Sequence, residues 1–243
     1  MTSQSTCSHK CKCGRDLKAY WDFAKKEWGY PEVCFECEKE SKEREFIKQL
    51  EKENQERKRQ KIQEILDQSN LGRRFRKRGF EQFQVDETNK NAYNLALDFK
   101  NKFPSTESII YMGNYGTGKT HLAAAILKDV LKKGHSGVFL TMPDLINKIK
   151  SSWNEDGDDK IIKSLKEVDL LVIDDIGAEN SKDWIREKLY IILNSRYESM
   201  KSTIFTTNCS WSELKKNIGE RIESRLCEMC KVVRLTGPDR RKG

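Results

Sequence analysis

The chain has 243 residues, of which 35% are charged and 36% hydrophobic, and its formal net charge is +8. This length suits one α/β domain with a smaller appendage, and the positive charge favours a polyanionic partner, nucleic acid before an anionic membrane. No apolar run is long enough to span a bilayer, and the first residues lack the hydrophobic segment of a signal peptide. We therefore expect a cytoplasmic protein with no membrane partner. Its eight cysteines should stay reduced and serve as metal ligands or core residues.

Residues 1–40 are rich in cysteine and are predicted to form a small zinc-binding module. A C-x-C pair and a C-x-x-C pair bracket a short segment, and two pairs of thiolates are what tetrahedral Zn²⁺ requires. The C-x-C spacing is tighter than usual, so Cys7 or His9 remains open as a replacement for Cys11. The predicted zinc ligands are Cys11, Cys13, Cys34 and Cys37.

Residues 41–72 are dominated by Glu, Lys, Arg and Gln and are predicted to be a charged helical linker. Its apolar residues form only a thin stripe at each end of the segment. No heptad pattern is sustained, which favours a solvated connector between domains over a weak coiled coil. The segment ends in a dense basic patch at residues 72–78.

From residue 73 to residue 243, helical and strand patterns alternate along the chain. Continuous apolar strands between helices are typical of a parallel sheet covered on both faces, here with five strands. The predicted helices span residues 89–103, 121–133, 143–153, 161–166, 183–199 and 211–230. The predicted strands span residues 108–113, 137–142, 168–174, 202–208 and 231–236.

The first of these strands runs into the pattern G-x-x-x-x-G-K-T, which is followed by a helix. In this context the pattern indicates a nucleoside-triphosphate site, because backbone N–H groups of the turn can face phosphate oxygens. An ordinary glycine turn before a helix is the weaker interpretation. Lys119 is placed to reach the β- and γ-phosphates, and Thr120 to ligate Mg²⁺. The predicted nucleotide-binding residues are Gly113, Asn114, Tyr115, Gly116, Thr117, Gly118, Lys119, Thr120, His121 and Asp174.

Two further strands end in polar residues, at the edge of a parallel sheet where ligands bind. Asp174 is predicted to hold Mg²⁺ and Asp175 to orient or deprotonate an attacking water. Asn208 is predicted to contact the γ-phosphate or that water, and it also suits the cap of the helix that follows. On the last helix, spacing alone favours surface ion pairs for Arg221 and Arg225 over a role in catalysis.

Taken in order, residues 113–123, 171–177, 206–208 and 224–226 resemble the AAA+ helicase loaders of the DnaC and DnaI type, which are related to the IstB ATPases. The likeness extends from about Phe75 to the C-terminus. It implies an AAA+ core that binds ATP and Mg²⁺, with Lys119, Asp175 and Asn208 acting in hydrolysis. It also implies that Arg225 is an arginine finger acting on a neighbouring subunit, with Arg221 as a second candidate.

By the same resemblance, the chain is an ATPase that delivers a replicative DNA helicase to single-stranded DNA. The zinc module would grip the helicase, the AAA+ domains would self-associate, and Lys148 and Lys150 would contact DNA phosphates. Three alternatives remain: an IstB-like regulator of a transposase, a small-molecule kinase, and a DNA-binding adaptor that does not hydrolyse ATP.

The sequence departs from the usual AAA+ pattern in two places. Most AAA+ proteins have Glu where this chain has Asp175, so slow, switch-like turnover is expected. The chain also stops shortly after the last predicted strand. No C-terminal lid is expected, and we do not expect Arg240 or Arg241 to replace the arginine that such a lid supplies.

Overall fold

The computed structural model describes residues 9–151, 158–178 and 181–240. The chain divides into two units, Met1–Lys61 and Ile62–Gly243. Cys7, Arg241 and the predicted helix end at Trp153 lie outside the described residues. The predicted domain boundaries at residues 40 and 72 stay a prediction.

The first unit contains a short hairpin and most of a long helix. Strands β1 (Tyr20–Asp22) and β2 (Glu27–Gly29) pair antiparallel, with Trp21 opposite Trp28. The two indole rings meet edge to face, with their centroids 5.6 Å apart, a favoured aromatic geometry. Helix α1 (Phe35–Gln68) begins before the predicted linker and covers it except for residues 69–72. The hairpin was not predicted, because strands of three residues carry almost no periodicity.

The second unit is the alternating α/β part of the chain. Its helices are α2 (Arg73–Arg76), α3 (Lys90–Lys102), α4 (Lys119–Lys132), α5 (Met142–Ser151), α6 (Asp158–Glu167), α7 (Asp183–Glu198), α8 (Trp211–Ile218) and α9 (Glu220–Met229), with a 3-10 turn at Phe80–Gln82. Its strands are β3 (Ser108–Gly113), β4 (Gly137–Thr141), β5 (Leu170–Asp174), β6 (Thr203–Thr207) and β7 (Cys230–Leu235). Within the described ranges, no helix has both the length and the apolar character that crossing a membrane requires.

The five strands form one parallel sheet in the order β4-β5-β6-β3-β7, which confirms the predicted architecture. Alternate residues of a strand face opposite sides, so each buried strand contributes to two cores. Ile109 and Tyr111 pack with α3 and α4, whereas Ile110 and Met112 pack with the helices of the other face. The chain therefore needs the continuous apolar strands seen in its sequence.

The predicted single helix over residues 211–230 is wrong, since the structure has α8 and α9 in its place. Gly219 separates them with φ of 92°, a left-handed conformation that glycine adopts without steric cost. The break redirects the chain, so α9 packs against α7 and presents Arg225 there.

Arg196 on α7 is fully buried. It lies at the amino ends of β5 and β6, opposite the carboxyl ends that carry Asp174 and Thr207. Its guanidinium donates to the carbonyls of Leu165 at 2.9 Å, Val168 at 2.8 Å and Ser202 at 2.5 Å. Burial lowers the pKa of Arg196 to about 10, which leaves it charged at neutral pH. Because these contacts satisfy the last carbonyls of α6 and the residues before β5 and β6, Arg196 fixes where the two strands begin.

Candidate nucleotide site and cysteine cluster

A cavity of about 610 Å³ opens where β3 and β6 end and α4 begins. The glycine-rich turn and the start of α4, residues 113–121, form the P-loop. To the cavity wall the P-loop supplies Tyr115, Gly116, Gly118, Lys119, Thr120 and His121, and the strand ends supply Asp175 and Asn208. The remaining wall comes from the segment before α3, with Arg74, Phe75, Arg78, Gln82, Phe83 and Gln84, and from Arg240 near the C-terminus. The structure therefore brings most of the predicted P-loop residues and the predicted hydrolytic residues to one cavity, whereas Gly113, Asn114 and Thr117 do not line it.

The ammonium of Lys119 lies at the centre of this arrangement. It donates to the carbonyl oxygens of Gly113 and Asn114, both at 2.7 Å, and to Oδ1 of Asn208 at 2.5 Å. Lys119 is 5% exposed, so these oxygens replace the water that its charge would otherwise hold. The contact with Asn208 joins the P-loop to the end of β6.

The two acids after β5 differ in their surroundings. Asp174 is buried, and burial raises its pKa to about 6, while hydrogen bonds from the hydroxyls of Thr206 and Thr120 act in the opposite direction. The two predicted Mg²⁺ ligands, Thr120 and Asp174, are thus neighbours. Asp175 lines the cavity instead, and its Oδ1 accepts from the amide of Asn208 at 3.2 Å. A divalent cation beside Asp174 would favour the charged carboxylate, so this pair of oxygen ligands suits Mg²⁺.

One residue of this network was missed in the sequence, Thr206. Its hydroxyl donates to Oδ1 of Asp174 at 2.6 Å and accepts the backbone N–H of Asp175 at 2.9 Å. Asp175 has φ of 56°, an uncommon value for a residue other than glycine, and the bond from its N–H helps to hold that conformation. The sequence could have indicated this role, because Thr206 lies two positions before Asn208 and residues two apart in a strand face the same side.

The P-loop is packed beneath residues 79–83. Gly118 has φ of 101°, and a Cβ there would approach the ring of Phe83 to 2.7 Å, so glycine is required twice over. The imidazole of His121 donates from Nε2 to the carbonyl of Gly79 at 2.9 Å and meets the Phe83 ring edge to face. Burial lowers the pKa of His121, which favours the neutral ring in this contact.

The predicted arginine finger does not line the cavity of its own chain. On α9, Arg225 donates to Asn194 at 2.9 Å and to Glu228 at 2.7 Å, and its guanidinium lies 4.2 Å from the centre of the Tyr197 ring. Arg221 is exposed to solvent. Neither arginine contacts the P-loop of its own subunit in the described residues.

Arg240, for which the sequence suggested no role, lies on the cavity wall. Its backbone N–H donates to the carbonyl of Gly116 at 3.2 Å, and its guanidinium pairs with Asp86 at 2.5 Å. This pair contributes to a pKa of about 2 for Asp86, after the larger effect of the Thr88 hydroxyl. Arg240 thereby joins the segment after β7 to the P-loop.

In the first unit, the structure brings the four predicted zinc ligands together. The sulfur atoms of Cys11, Cys13, Cys34 and Cys37 all lie within 4.8 Å of one another. Four thiolates at about 2.3 Å from one zinc ion would lie about 3.8 Å apart, and the Cys13–Cys34 separation is 3.6 Å. His9 is not in the group, since its ring stacks on Tyr30 at 4.0 Å. The donor set fits tetrahedral Zn²⁺.

Proton equilibria in the cluster also favour a cation. Backbone N–H groups of Cys13 and Cys34 lower the pKa of Cys11 to about 6, whereas thiol contacts, first with Cys13, raise the pKa of Cys37 to about 12. Thiols this close cannot all ionise side by side, because each thiolate repels the next. A bound divalent cation removes that repulsion and allows all four to deprotonate.

Comparison with known proteins agrees with this site. The sequence model of the IstB-like ATP binding proteins matches residues 35–242. The chain belongs to this family. It therefore has an AAA+ fold and binds ATP. ATP is also the ligand that its P-loop and cavity indicate.

Among its relatives is the replicative helicase loader DnaC of Escherichia coli strain K12, 32% identical over 181 residues that cover 73% of each chain. The replicative helicase loader DnaI of Bacillus subtilis is 26% identical over 67% of this chain and 58% of DnaI. The crystal structure of the DnaC helicase loader superposes with a TM-score of 0.63 and 31% identity. That alignment covers 68% of this chain and 100% of the DnaC chain.

The shared hydroxyl of Thr206 leads to a first prediction. In Thr206→Val the shape is kept, but Asp174 loses a donor and the N–H of Asp175 loses its acceptor, a change worth about 1–3 kcal/mol. We expect the Mg²⁺ concentration that gives half-maximal ATP binding to rise about tenfold. Titration calorimetry with and without Mg²⁺ measures it.

Thr206→Ser keeps the hydroxyl and should restore the Mg²⁺ requirement of the parent protein. Binding of ATP in the presence of EDTA should be similar in all three proteins. An unchanged Mg²⁺ requirement in Thr206→Val would show that Thr206 does not position the acid pair.

Proposed function

We propose that this protein is an ATP-hydrolysing helicase loader that delivers a replicative DNA helicase to single-stranded DNA. The observation that carries the proposal is an ATP cavity assembled from three strand ends in a chain that is 32% identical to the loader DnaC along 73% of both. This identity favours a loader over an IstB-like regulator of a transposase. The reduced thiols of the cysteine cluster fit a cytoplasmic site of action.

Each residue of the cavity has a proposed part in hydrolysis. Lys119 balances charge on the β- and γ-phosphates, and Thr120 and Asp174 hold Mg²⁺, which neutralises the phosphate oxygens when it is bound. Asp175 orients a water molecule towards the γ-phosphate, with its carboxylate fixed by the amide of Asn208. Because Asp is one methylene shorter than Glu, Asp175 should hold that water less closely, and we propose slow, switch-like turnover.

Arg225 is proposed to act on the nucleotide of a neighbouring subunit. It lies on α9 outside its own cavity, and its partners Asn194 and Glu228 fix its position. An arginine supplied in trans stabilises charge on the transferring phosphoryl group, an effect of about 10³ to 10⁵ in rate. Self-association through the AAA+ domains follows from this role, with Arg221 as the second candidate.

The helicase is proposed to bind the zinc module of residues 1–40, which the helical linker of residues 41–72 connects to the ATPase domain of residues 73–243. Zinc would hold the two cysteine pairs together and so fix the fold of a segment with little core. The module exposes large rings, with Phe23 85% and Trp28 68% accessible. Exposed aromatic rings of this size are typical of protein interfaces.

Single-stranded DNA is proposed to bind along α5. Lys150 is exposed on this helix and Lys148 is half-buried. The positive charges of these lysines can neutralise DNA phosphates, so binding should weaken as the salt concentration rises.

The proposal is tested by reconstitution with the replicative helicase of the same source. With ATP, the protein should load the helicase onto circular single-stranded DNA, and the unwinding of an annealed oligonucleotide reports loading. Lys119→Ala should abolish ATP binding and loading. Cys34→Ser should remove zinc, measured on the same sample, and with it helicase binding, while ATP affinity is kept because the ATP cavity lies in the other unit.

Two results would contradict the loader assignment. One is helicase loading by Lys119→Ala at the rate of the parent protein. The other is no association with the helicase combined with stimulation of a transposase, which would favour the IstB-like function.

The arginine finger is tested by mixing two inactive variants. Lys119→Ala has no working ATP site, and Arg225→Ala has no finger, so each alone should hydrolyse ATP at less than about 1% of the parent rate. In a mixture, Lys119→Ala subunits supply Arg225 to the intact sites of Arg225→Ala subunits. We expect ATPase activity to rise well above the sum of the two variants.

Arg225→Ala should bind ATP as the parent does, since Arg225 does not line its own cavity. Arg221→Ala on the same helix tests the second candidate in the same mixing assay, and it should keep the parent rate if Arg225 is the finger. Full activity of Arg225→Ala on its own, or no gain on mixing, would remove the role in trans.

A further inference from the structure

The basic patch that precedes the ATPase core has no part in the function as described so far. Two of its side chains, Arg74 and Arg78, line the nucleotide cavity, whereas Arg73 does not. Arg76 is used internally, since its Nε donates to the carbonyl of Leu71 at 2.7 Å. In the described part of the chain, Arg74 and Arg78 make no ion pair and no side-chain hydrogen bond. Two cations therefore face the cavity without an acceptor.

The backbone on both sides of Arg78 is fastened to the ATPase core. On one side the ring of Phe75 stacks on Phe139 of β4, with centroids 5.9 Å apart. On the other side the carbonyl of Gly79 accepts from His121, and its N–H donates to Gln82 at 2.6 Å. The backbone at Arg78 is thus held in place beside the P-loop, which keeps its guanidinium within reach of the cavity.

The charges that line the cavity favour an anion beside Arg74 and Arg78. Asp175 is the acid among the described residues of the lining, against the cations Arg74, Arg78, Lys119 and Arg240. Arg240 is already paired with Asp86, and Lys119 is bonded to carbonyl and amide oxygens. The positive charges of Arg74 and Arg78 are therefore the ones that no acid of the cavity balances.

Their place along the P-loop indicates which anion they meet. Gly79 is bonded to His121, the residue that follows Thr120, and the N–H groups of this part of a P-loop face the α- and β-phosphates. Asp175 and Asn208 belong to the hydrolytic end of the site. Guanidinium groups bind phosphate oxygens through two parallel N–H donors, which a lysine cannot do.

We propose that Arg78, assisted by Arg74, binds the α- and β-phosphates of the nucleotide, as a second cationic wall in addition to Lys119. The proposal rests on the ATP site proposed above. It assigns a ligand to the basic patch of residues 72–78, which follows the end of α1 at Gln68 by a few residues.

The test is the affinity for ADP, because ADP carries both phosphates and binding does not depend on hydrolysis. Arg78→Gln should raise the dissociation constant of the full-length protein for ADP at least about tenfold, and for ATP by a similar factor. Arg78→Lys should lose less, since it keeps the charge. Arg73→Gln is the matched control, because Arg73 is an exposed arginine of the same basic patch that does not line the cavity, and it should bind ADP as the parent does.

Salt gives an independent readout. Since a phosphate contact is screened by ions, the affinity of the parent should fall more steeply with salt concentration than that of Arg78→Gln. Unchanged ADP affinity in Arg78→Gln and in the double variant with Arg74→Gln would overturn the proposal. A loss in Arg78→Gln with the salt dependence of the parent unchanged would also overturn it, because it would indicate stacking on the base in place of a phosphate contact.

Failure of this proposal can be distinguished from failure of the proposed ATP site. If the parent binds ADP and Arg78→Gln binds it equally well, only the arginine wall is lost. If the parent binds neither ADP nor ATP, the nucleotide site is lost as well. Circular dichroism on each variant shows that the fold is kept.

Discussion

The hydrogen bond between Lys119 and Asn208 joins two segments that lie 89 residues apart in the chain. It depends on the sheet, because β3 pairs with β6 in a register that places Met112 beside Thr207. A shift of this register by one residue would turn the side chains to the opposite face and separate the P-loop from the acids. The site is therefore a property of strand pairing, and the fold is needed chiefly to hold that register.

Around this bond, each acid is held by a partner from the neighbouring strand. Thr206 contacts Asp174 and the backbone of Asp175, and Asn208 contacts the carboxylate of Asp175. The two acids thus have separate environments, one buried and one facing the cavity, although they are adjacent in sequence. Adjacent groups with different surroundings can take different roles, one for a metal and one for water.

Much of this could be predicted from the sequence, because the signals are local. The strand Ser108–Gly113 has the predicted bounds, and Gly116 and Gly118 after it both have a positive φ, which favours glycine. The parallel sheet followed from five apolar runs between helices. Likewise, the two cysteine pairs predicted a tetrahedral ligand set, which a tight turn makes possible by a bond from Gly14 N–H to the carbonyl of Cys11 at 2.8 Å.

What could not be predicted depends on contacts between distant residues. In the sequence, Gly219 resembles a glycine that a continuous helix tolerates. The helix breaks there because α9 packs against α7. Cys227 and Cys230 would share a helix face if the helix continued, but β7 begins at Cys230, which is buried while Cys227 is exposed. The basic patch likewise gives no sign in its sequence that Arg78 lies beside His121.

The central claim is that the P-loop and the acid pair hold one magnesium–nucleotide complex. The most direct measurement is a structure of the protein with ADP, Mg²⁺ and beryllium fluoride, which mimics the γ-phosphate. The account predicts the metal about 2.1 Å from Oγ1 of Thr120, with Asp174 bonded to it directly or through water and Lys119 between the β-phosphate and the fluoride. Density for the nucleotide outside this cavity, or a metal with no contact to either Thr120 or Asp174, would contradict it.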